Sequence, residues 1–215
     1  MISFGIDELI IQNPAWKSKR IGLVTNDAAT TNTGILSRTA LVQAGFTIVC
    51  LFTPEHGISA KAPDGEAQQN SMDTITGLPI ISLYGNKCMP TAQDLENIDL
   101  LLFDIPDIGA RFYTYLWTLT YVLEACALYH KQLIVLDRPN PVSGNFDAAE
   151  GPFMDDTTSS FIGRWNIPIK HSCTLGELAL YFNSTKNIGA NLTVVTVKNW
   201  DRDDLATDWG TNFVA

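Results

Sequence analysis

The residues of this sequence best suited to chemistry stand in short clusters, each placed just after an apolar run. Thr53-Pro54-Glu55-His56-Gly57 sets a carboxylate beside an imidazole, between a proline and a glycine. Proline fixes one backbone angle and glycine opens the left-handed region, so this acid sits in a defined turn and not in a free loop. Further on, Asp104 and Asp107 lead into Gly109-Ala110-Arg111-Phe112-Tyr113-Thr114-Tyr115. Asp137-Arg138-Pro139-Asn140 follows another apolar run, and Asn26-Asp27 follows the first. Carboxylates gathered with histidine, arginine and tyrosine suit acid–base hydrolysis. They also suit a metal held by Glu55, His56, Asp104 and Asp107. Adjacent Glu and His are poor ligand spacing on one element, so acid–base chemistry ranks first.

Each residue also has a structural reading. Asp104 and Asp137 directly follow buried runs, where an aspartate often caps a helix or orders a turn. His56 reads equally well as a partner of a backbone carbonyl. His171 lies just ahead of the helix cap expected at Thr174, so it is either structural or a substrate contact. His130 ends a helix, where a cation suits the dipole, and Glu177 is accounted for by capping. Arg111 is harder to explain structurally: a guanidinium after Gly109-Ala110, bracketed by aromatics, suits a carboxylate or phosphate. Tyr113 and Tyr115 offer hydroxyls and flat faces to a small polar ligand, unless they only fill the first turn of a buried helix.

The elements that must position these side chains are legible from periodicity. Five short, continuously apolar runs read as buried parallel strands: Ile21–Thr25, Thr47–Phe52, Asp99–Phe103, Gln132–Leu136 and Leu192–Val197. A sixth, "LPIISLY" at 78–84, reads as an edge strand. Helical patterns cover 34–44 (closed by Gly45), 90–98 (opened by Thr91-x-x-Asp94), 113–130 and 173–182 (opened by Thr174-x-x-Glu177). Strands alternating with helices predict right-handed crossovers and a doubly wound sheet with helices on both faces. In such sheets ligands bind beyond the carboxyl ends of the strands, where the polar clusters fall. Residues 57–77 are polar, aperiodic and long enough for a binding loop.

Composition narrows the classes. The chain has 215 residues, 46% hydrophobic and 17% charged, enough for one large α/β domain. A formal net charge of −9 argues against a nucleic-acid partner. No window approaches the apolar stretch of about 20 residues that a membrane helix needs. "MISFGIDELI" has no basic segment ahead of an apolar core, so a cytoplasmic location is expected from the sequence as written, or a periplasmic or secreted one if a targeting segment was removed. Cys50, Cys88, Cys126 and Cys173 lie far apart without a CxxC pair, the pattern of reduced thiols. Dinucleotide, P-loop and nucleophile-elbow motifs are all missing.

Taken in order, "TPEHGI", "DIPDIGARFYTY", "LDRPNP", "EGP" and "HSCTLGELALYFN" resemble the exo-β-N-acetylmuramidases of the NamZ type. The resemblance runs from "GID" near the start to about Trp209. It implies a Rossmann-like α/β domain over residues 1–200, with 201–215 beginning a linker or a truncated C-terminal domain. It implies a glycosidase that removes terminal N-acetylmuramic acid from the non-reducing end of peptidoglycan fragments, with a sugar or muropeptide as its partner and no cofactor. The family's proposed catalytic glutamate falls on Glu55. A partner group is expected at Glu150 first and Asp107 second, with His56 assisting. Asn26, Asp107, Arg111, Tyr113, Arg138, Asn140 and His171 are the expected substrate contacts, and Arg111 or Arg138 would meet the lactyl carboxylate. The chain departs from the family pattern at Pro106, where Gln is common, at "KHSCT", where Arg-His-Gly-Met-Thr is usual, and at "VTNDAATT". A metal-dependent hydrolase and a non-catalytic binder of cell-wall sugars are the competing readings.

Overall fold

The computed structural model describes residues 1–60, 70–211 and 213. Six strands run parallel: β1 (Ile21–Thr25), β2 (Ile48–Thr53), β4 (Pro79–Ser82), β5 (Leu100–Asp104), β6 (Gln132–Leu136) and β7 (Asn191–Val195). A short β3 (Ser71–Met72) pairs antiparallel with β4. The order across the sheet is β3-β4-β2-β1-β5-β6-β7. The chain winds outward from β1 to β4, then returns to β5 on the other side of β1 and winds outward again. The crevice between the ends of β1 and β5 is therefore the point where the winding reverses.

The central strands are buried along their whole length, which is why they read as unbroken apolar runs. Successive side chains alternate between two cores. Val24, Phe52, Leu101 and Phe103 point to one face, which is covered by α4 (Thr114–Leu128) and α5 (Leu175–Thr185). Leu23, Leu51 and Leu102 point to the other, covered by α1 (Gly5–Gln12) and α2 (Ser37–Gln43). Among the described residues no helix is long and apolar enough to cross a membrane.

The expected strands stand within two residues of their predicted bounds, and β5 extends to include Asp104 itself. The 78–84 strand is no bare edge, because β3 covers it. α2 starts at Ser37 and not near 34, since Thr30 and Leu36 pair across a tight turn that uses those residues. The 90–98 pattern shrinks to the single turn of α3 (Ala92–Leu95), with the Thr91–Asp94 capping box in place. The sequence reading had no counterpart for α1. Gly5 starts it because a Cβ there would stand 2.3 Å from the Asp137 nitrogen. Of the 57–77 loop, residues 61–69 lie outside the described residues. Its return is pinned where Arg38 Nε donates to Asp73 at 3.0 Å. Beyond β7 the chain packs back on the domain: Trp209 is buried with its ring edge-on to Phe4, and Arg202 pairs with Glu177.

Candidate functional site

Glu55 lies two residues past β2 and is 9% exposed. The turn that holds it closes with the Gly57 N–H donating to the Pro54 carbonyl at 3.1 Å. His56 and Gly57 both adopt φ of 67°, in the left-handed region. This is the physical content of the "PEHG" signal: two consecutive left-handed residues turn the chain sharply away and leave the acid at the strand end. Histidine is among the side chains that tolerate this conformation best.

Glu55 faces the first turn of α4. Its charge reaches the buried Tyr115, whose hydroxyl also faces the Asn26 amide at the end of β1. The rings of Tyr113 and Tyr115 meet edge-on at 4.6 Å. Burial pushes both phenols above their ordinary pKa. The Asp107 charge adds to this at Tyr113, and the Glu55 charge at Tyr115. Both therefore stay neutral donors through the working pH range. Asn26 is fully buried; its Oδ1 accepts from the Ala28 N–H at 3.1 Å, while Nδ2 has no hydrogen-bond partner among the described residues.

On the other side of the tyrosines stands Asp107, 6% exposed. Its Oδ2 accepts from the Gly109 N–H at 2.9 Å and contacts His171 Nε2 at 3.1 Å. His171 Nδ1 accepts from the Cys173 N–H at 3.2 Å, which assigns the proton to Nε2 and makes His171 a neutral donor to Asp107. Gly109 has φ of 79°, and a Cβ there would lie 2.4 Å from Asn140 Oδ1. Asn140 is thus a structural brace: its Nδ2 donates to the Cys173 carbonyl at 3.0 Å, and its Oδ1 accepts from the Val142 N–H at 3.0 Å. It holds the Asp107 and His171 segments together.

Arg111 joins three of the sequence clusters. Its Nη1 donates to the Pro152 carbonyl at 2.9 Å and to the Ile167 carbonyl at 2.5 Å. Ala110 and Glu150 bridge to Lys170 from either side, so "GAR", "EGP" and the approach to His171 form one lip. Glu150 is exposed on that lip. These partners are carbonyls, and among the described residues no carboxylate is paired with Arg111.

Arg138 is placed differently from its expected role. Its Nε and Nη2 reach the two Asp104 oxygens at 2.6 and 3.1 Å, and Nη2 also donates to the Thr30 carbonyl at 2.7 Å. With Asp104 fully buried, this pair is a brace under the rim. Asp137 likewise takes the structural alternative: it accepts from the Gly176 N–H at 2.8 Å, the Thr174 hydroxyl at 2.7 Å and the Arg138 N–H at 3.0 Å, tying the start of α5 to β6. Two of the four side chains considered as metal ligands, Asp104 and Asp107, are thereby turned toward Arg138 and His171. Among the described residues no three His, Cys, Asp or Glu side chains converge as a metal site requires.

Burial raises the Asp137 carboxyl to about 6, against the pull of its three donors. A raised carboxyl means that the folded chain holds this proton more tightly than the unfolded chain does. Its contribution to stability is therefore complete below the unfolded value near 3.9 and is lost as pH rises through about 6. Asp137→Asn keeps Oδ1 for both backbone donors and offers an N–H to the Thr174 hydroxyl. Urea titrations of this variant at pH 4.5, 5.5 and 7 are expected to show a smaller loss of stability with rising pH than the parent shows.

Ser172 carries a signal that the motif reading touched only as an unusual residue. It is fully buried at φ of 52°, and its hydroxyl has no hydrogen-bond partner among the described residues. A left-handed non-glycine residue costs about 1–2 kcal/mol, and an unsatisfied buried hydroxyl adds to that. Ser172→Gly is expected to stabilise the protein by about 1 kcal/mol after the extra backbone entropy of glycine is counted, read as a higher Tm in thermal unfolding.

A mostly parallel sheet whose winding reverses between β1 and β5, with helices on both faces, defines a Rossmann-like α/β domain. The comparisons place it further. Residues 21–215 match the family described as "Exo-beta-N-acetylmuramidase NamZ, N-terminal". The chain belongs to this family. It is 43% identical over 204 residues to the peptidoglycan β-N-acetylmuramidase NamZ of Bacillus subtilis (strain 168), covering 94% of this chain and 49% of that protein. Two crystal structures of DUF1343 family proteins from Bacteroides fragilis NCTC 9343 are similar. One has a TM-score of 0.89 and 37% identity, covering 99% of this chain and 54% of the other. The second has a TM-score of 0.81 and 32% identity, covering 95% and 54%. The chain thus spans about half the length of the relatives it matches.

Proposed function

We propose that this chain forms the α/β half of a glycosidase acting on peptidoglycan, releasing terminal N-acetylmuramic acid from the non-reducing end, with Glu55 as its general acid. The observation that carries the reading is Glu55 itself: a nearly enclosed carboxyl at the end of β2, beside the winding reversal, facing Tyr115. Glycoside hydrolysis needs one carboxyl to protonate the departing oxygen and a second group opposite. Asp107, enclosed beyond the tyrosine pair, and Glu150, exposed on the Arg111 lip, are the carboxylates that the site offers for the second role. His56 helps to hold Glu55 through the left-handed turn and does not itself carry the proton.

N-acetylmuramic acid bears a lactyl carboxylate, and an acidic protein needs a local cation to hold it. Arg138 is already matched by Asp104, so Arg111 takes this role, with Nε and Nη2 as the donors that meet the anion. The relative named as a peptidoglycan β-N-acetylmuramidase supports this substrate class for the present chain. The test is release of the aryl group from a chromogenic N-acetylmuraminide by the full-length protein, with no release from the N-acetylglucosaminide that lacks the lactyl group. Arg111→Met is expected to raise KM on the muraminide with a smaller change in kcat. No release of the aryl group from the muraminide would overturn the reading.

A further inference from the structure

One oxygen of the Asp107 carboxylate is left without a donor. Oδ2 is held by the Gly109 N–H and by His171, whereas Oδ1 is enclosed and has no hydrogen-bond partner among the described residues. Leaving a buried acceptor unmatched is costly, and native structures tolerate it mainly where a ligand or water completes it. The rest of the carboxylate is fixed firmly. The Gly109 turn sets one contact, and a histidine engaged at both ring nitrogens sets the other. Such two-point support orients a free oxygen instead of letting it seek its own partner.

The location of that oxygen limits what it can meet. Glu55 follows β2, Asp107 follows β5, and Tyr113 and Tyr115, whose rings meet at 4.6 Å, each feel one of the two carboxyls, so both acids lie near one tyrosine pair at the carboxyl ends of the strands. We propose that Asp107 Oδ1 accepts the acetamido N–H of the terminal amino sugar, and that the acetamido carbonyl oxygen is the nucleophile at C1. The proposal rests on the glycosidase reading of the site and specifies its second group. Oδ1 is enclosed, so the amide reaches it only when a neighbouring side chain moves, and half-buried Tyr113, close enough to feel the Asp107 carboxyl, is a neighbour that could do so.

The steps balance without any other reagent. The carbonyl oxygen forms a bond to C1 as the C1–O bond to the leaving sugar breaks, and Glu55 gives its proton to the departing oxygen. Positive charge grows on the acetamido nitrogen at that moment, and its N–H hydrogen bond to Asp107 strengthens, which is the condition for lowering the barrier. Water then adds at C1, its proton returns to Glu55, and the acetamido group is restored. Product forms with its original anomeric configuration. His171 is a positioning residue: both of its ring nitrogens are engaged within the protein, Nδ1 by the Cys173 N–H and Nε2 by Asp107.

The experiment uses the full-length protein, the aryl N-acetylmuraminide with its acetyl group mono-, di- and trifluorinated, and the thiazoline-fused analogue of N-acetylmuramic acid. For the parent, kcat/KM is expected to fall at each fluorination, because the carbonyl oxygen becomes a poorer nucleophile. Asp107→Asn is expected to bind the thiazoline about 100-fold more weakly while binding free N-acetylmuramic acid within about 10-fold of the parent. His171→Gln, which keeps an N–H for Asp107, is expected to retain more kcat than His171→Ala. A flat fluorination series would overturn the proposal, as would thiazoline affinity unchanged in an Asp107→Asn protein that melts like the parent. Either result with turnover of the unfluorinated substrate intact leaves the glycosidase reading standing. No turnover of that substrate by the parent would sink both.

Discussion

Glu55→Gln is expected to lower kcat/KM on unactivated muropeptide substrates by about 10³-fold or more, with the fold and melting temperature unchanged. Positioned general acids contribute about 10²–10⁴-fold, and the upper part of that range applies here because a sugar alkoxide is a poor leaving group. Glutamine preserves shape and hydrogen bonding but carries no transferable proton. The substitution is also mild structurally, since among the described residues Glu55 is in no ion pair. Activity with circular dichroism as a folding control checks the result.

The second large effect concerns stability. Asp104→Ala is expected to destabilise the domain by about 3–5 kcal/mol, because it leaves Arg138 charged and enclosed without its counter-ion. Arg138 spans β6, the Thr30 carbonyl and, through Asp104, the end of β5. Its loss therefore loosens the floor beneath the crevice as well as the sheet. The double substitution Asp104→Leu with Arg138→Met is expected to recover much of the loss, since a buried pair replaced as a unit is far less costly than a pair broken. Urea unfolding of the single and double variants measures the difference.

The sheet was legible because parallel strands covered on both faces must be apolar at every position, and nothing else in the chain has that pattern at that length. Capping boxes at Thr91–Asp94 and Thr174–Glu177 were legible for a similar reason: the side-chain chemistry is local. α1 was not, since its start depends on Gly5 fitting against Asp137, a contact 132 positions away in sequence. The positions of Glu55 after β2 and of the aromatic cluster after β5 could be read from the apolar runs that precede them. The division of labour among the arginines could not: Arg111 and Arg138 look alike in sequence, and only the burial of Asp104 commits Arg138 to a brace. His171 had two readings in sequence, and its contact with Asp107, 64 positions away, could not be read there. The bracing bonds of Asn140 were not legible, because they depend on Gly109 bringing its backbone against the Asn140 amide.

The central claim is that Glu55 donates the proton to the leaving oxygen, and leaving-group dependence tests it most directly. A series of aryl N-acetylmuraminides with phenols of falling pKa is measured with the parent and with Glu55→Gln. The account predicts a shallow dependence for the parent and a steep one for the variant, with the two rates converging for the most acidic phenols, which need no protonation to depart. Equal slopes for both proteins, or a variant equally impaired across the whole series, would contradict it.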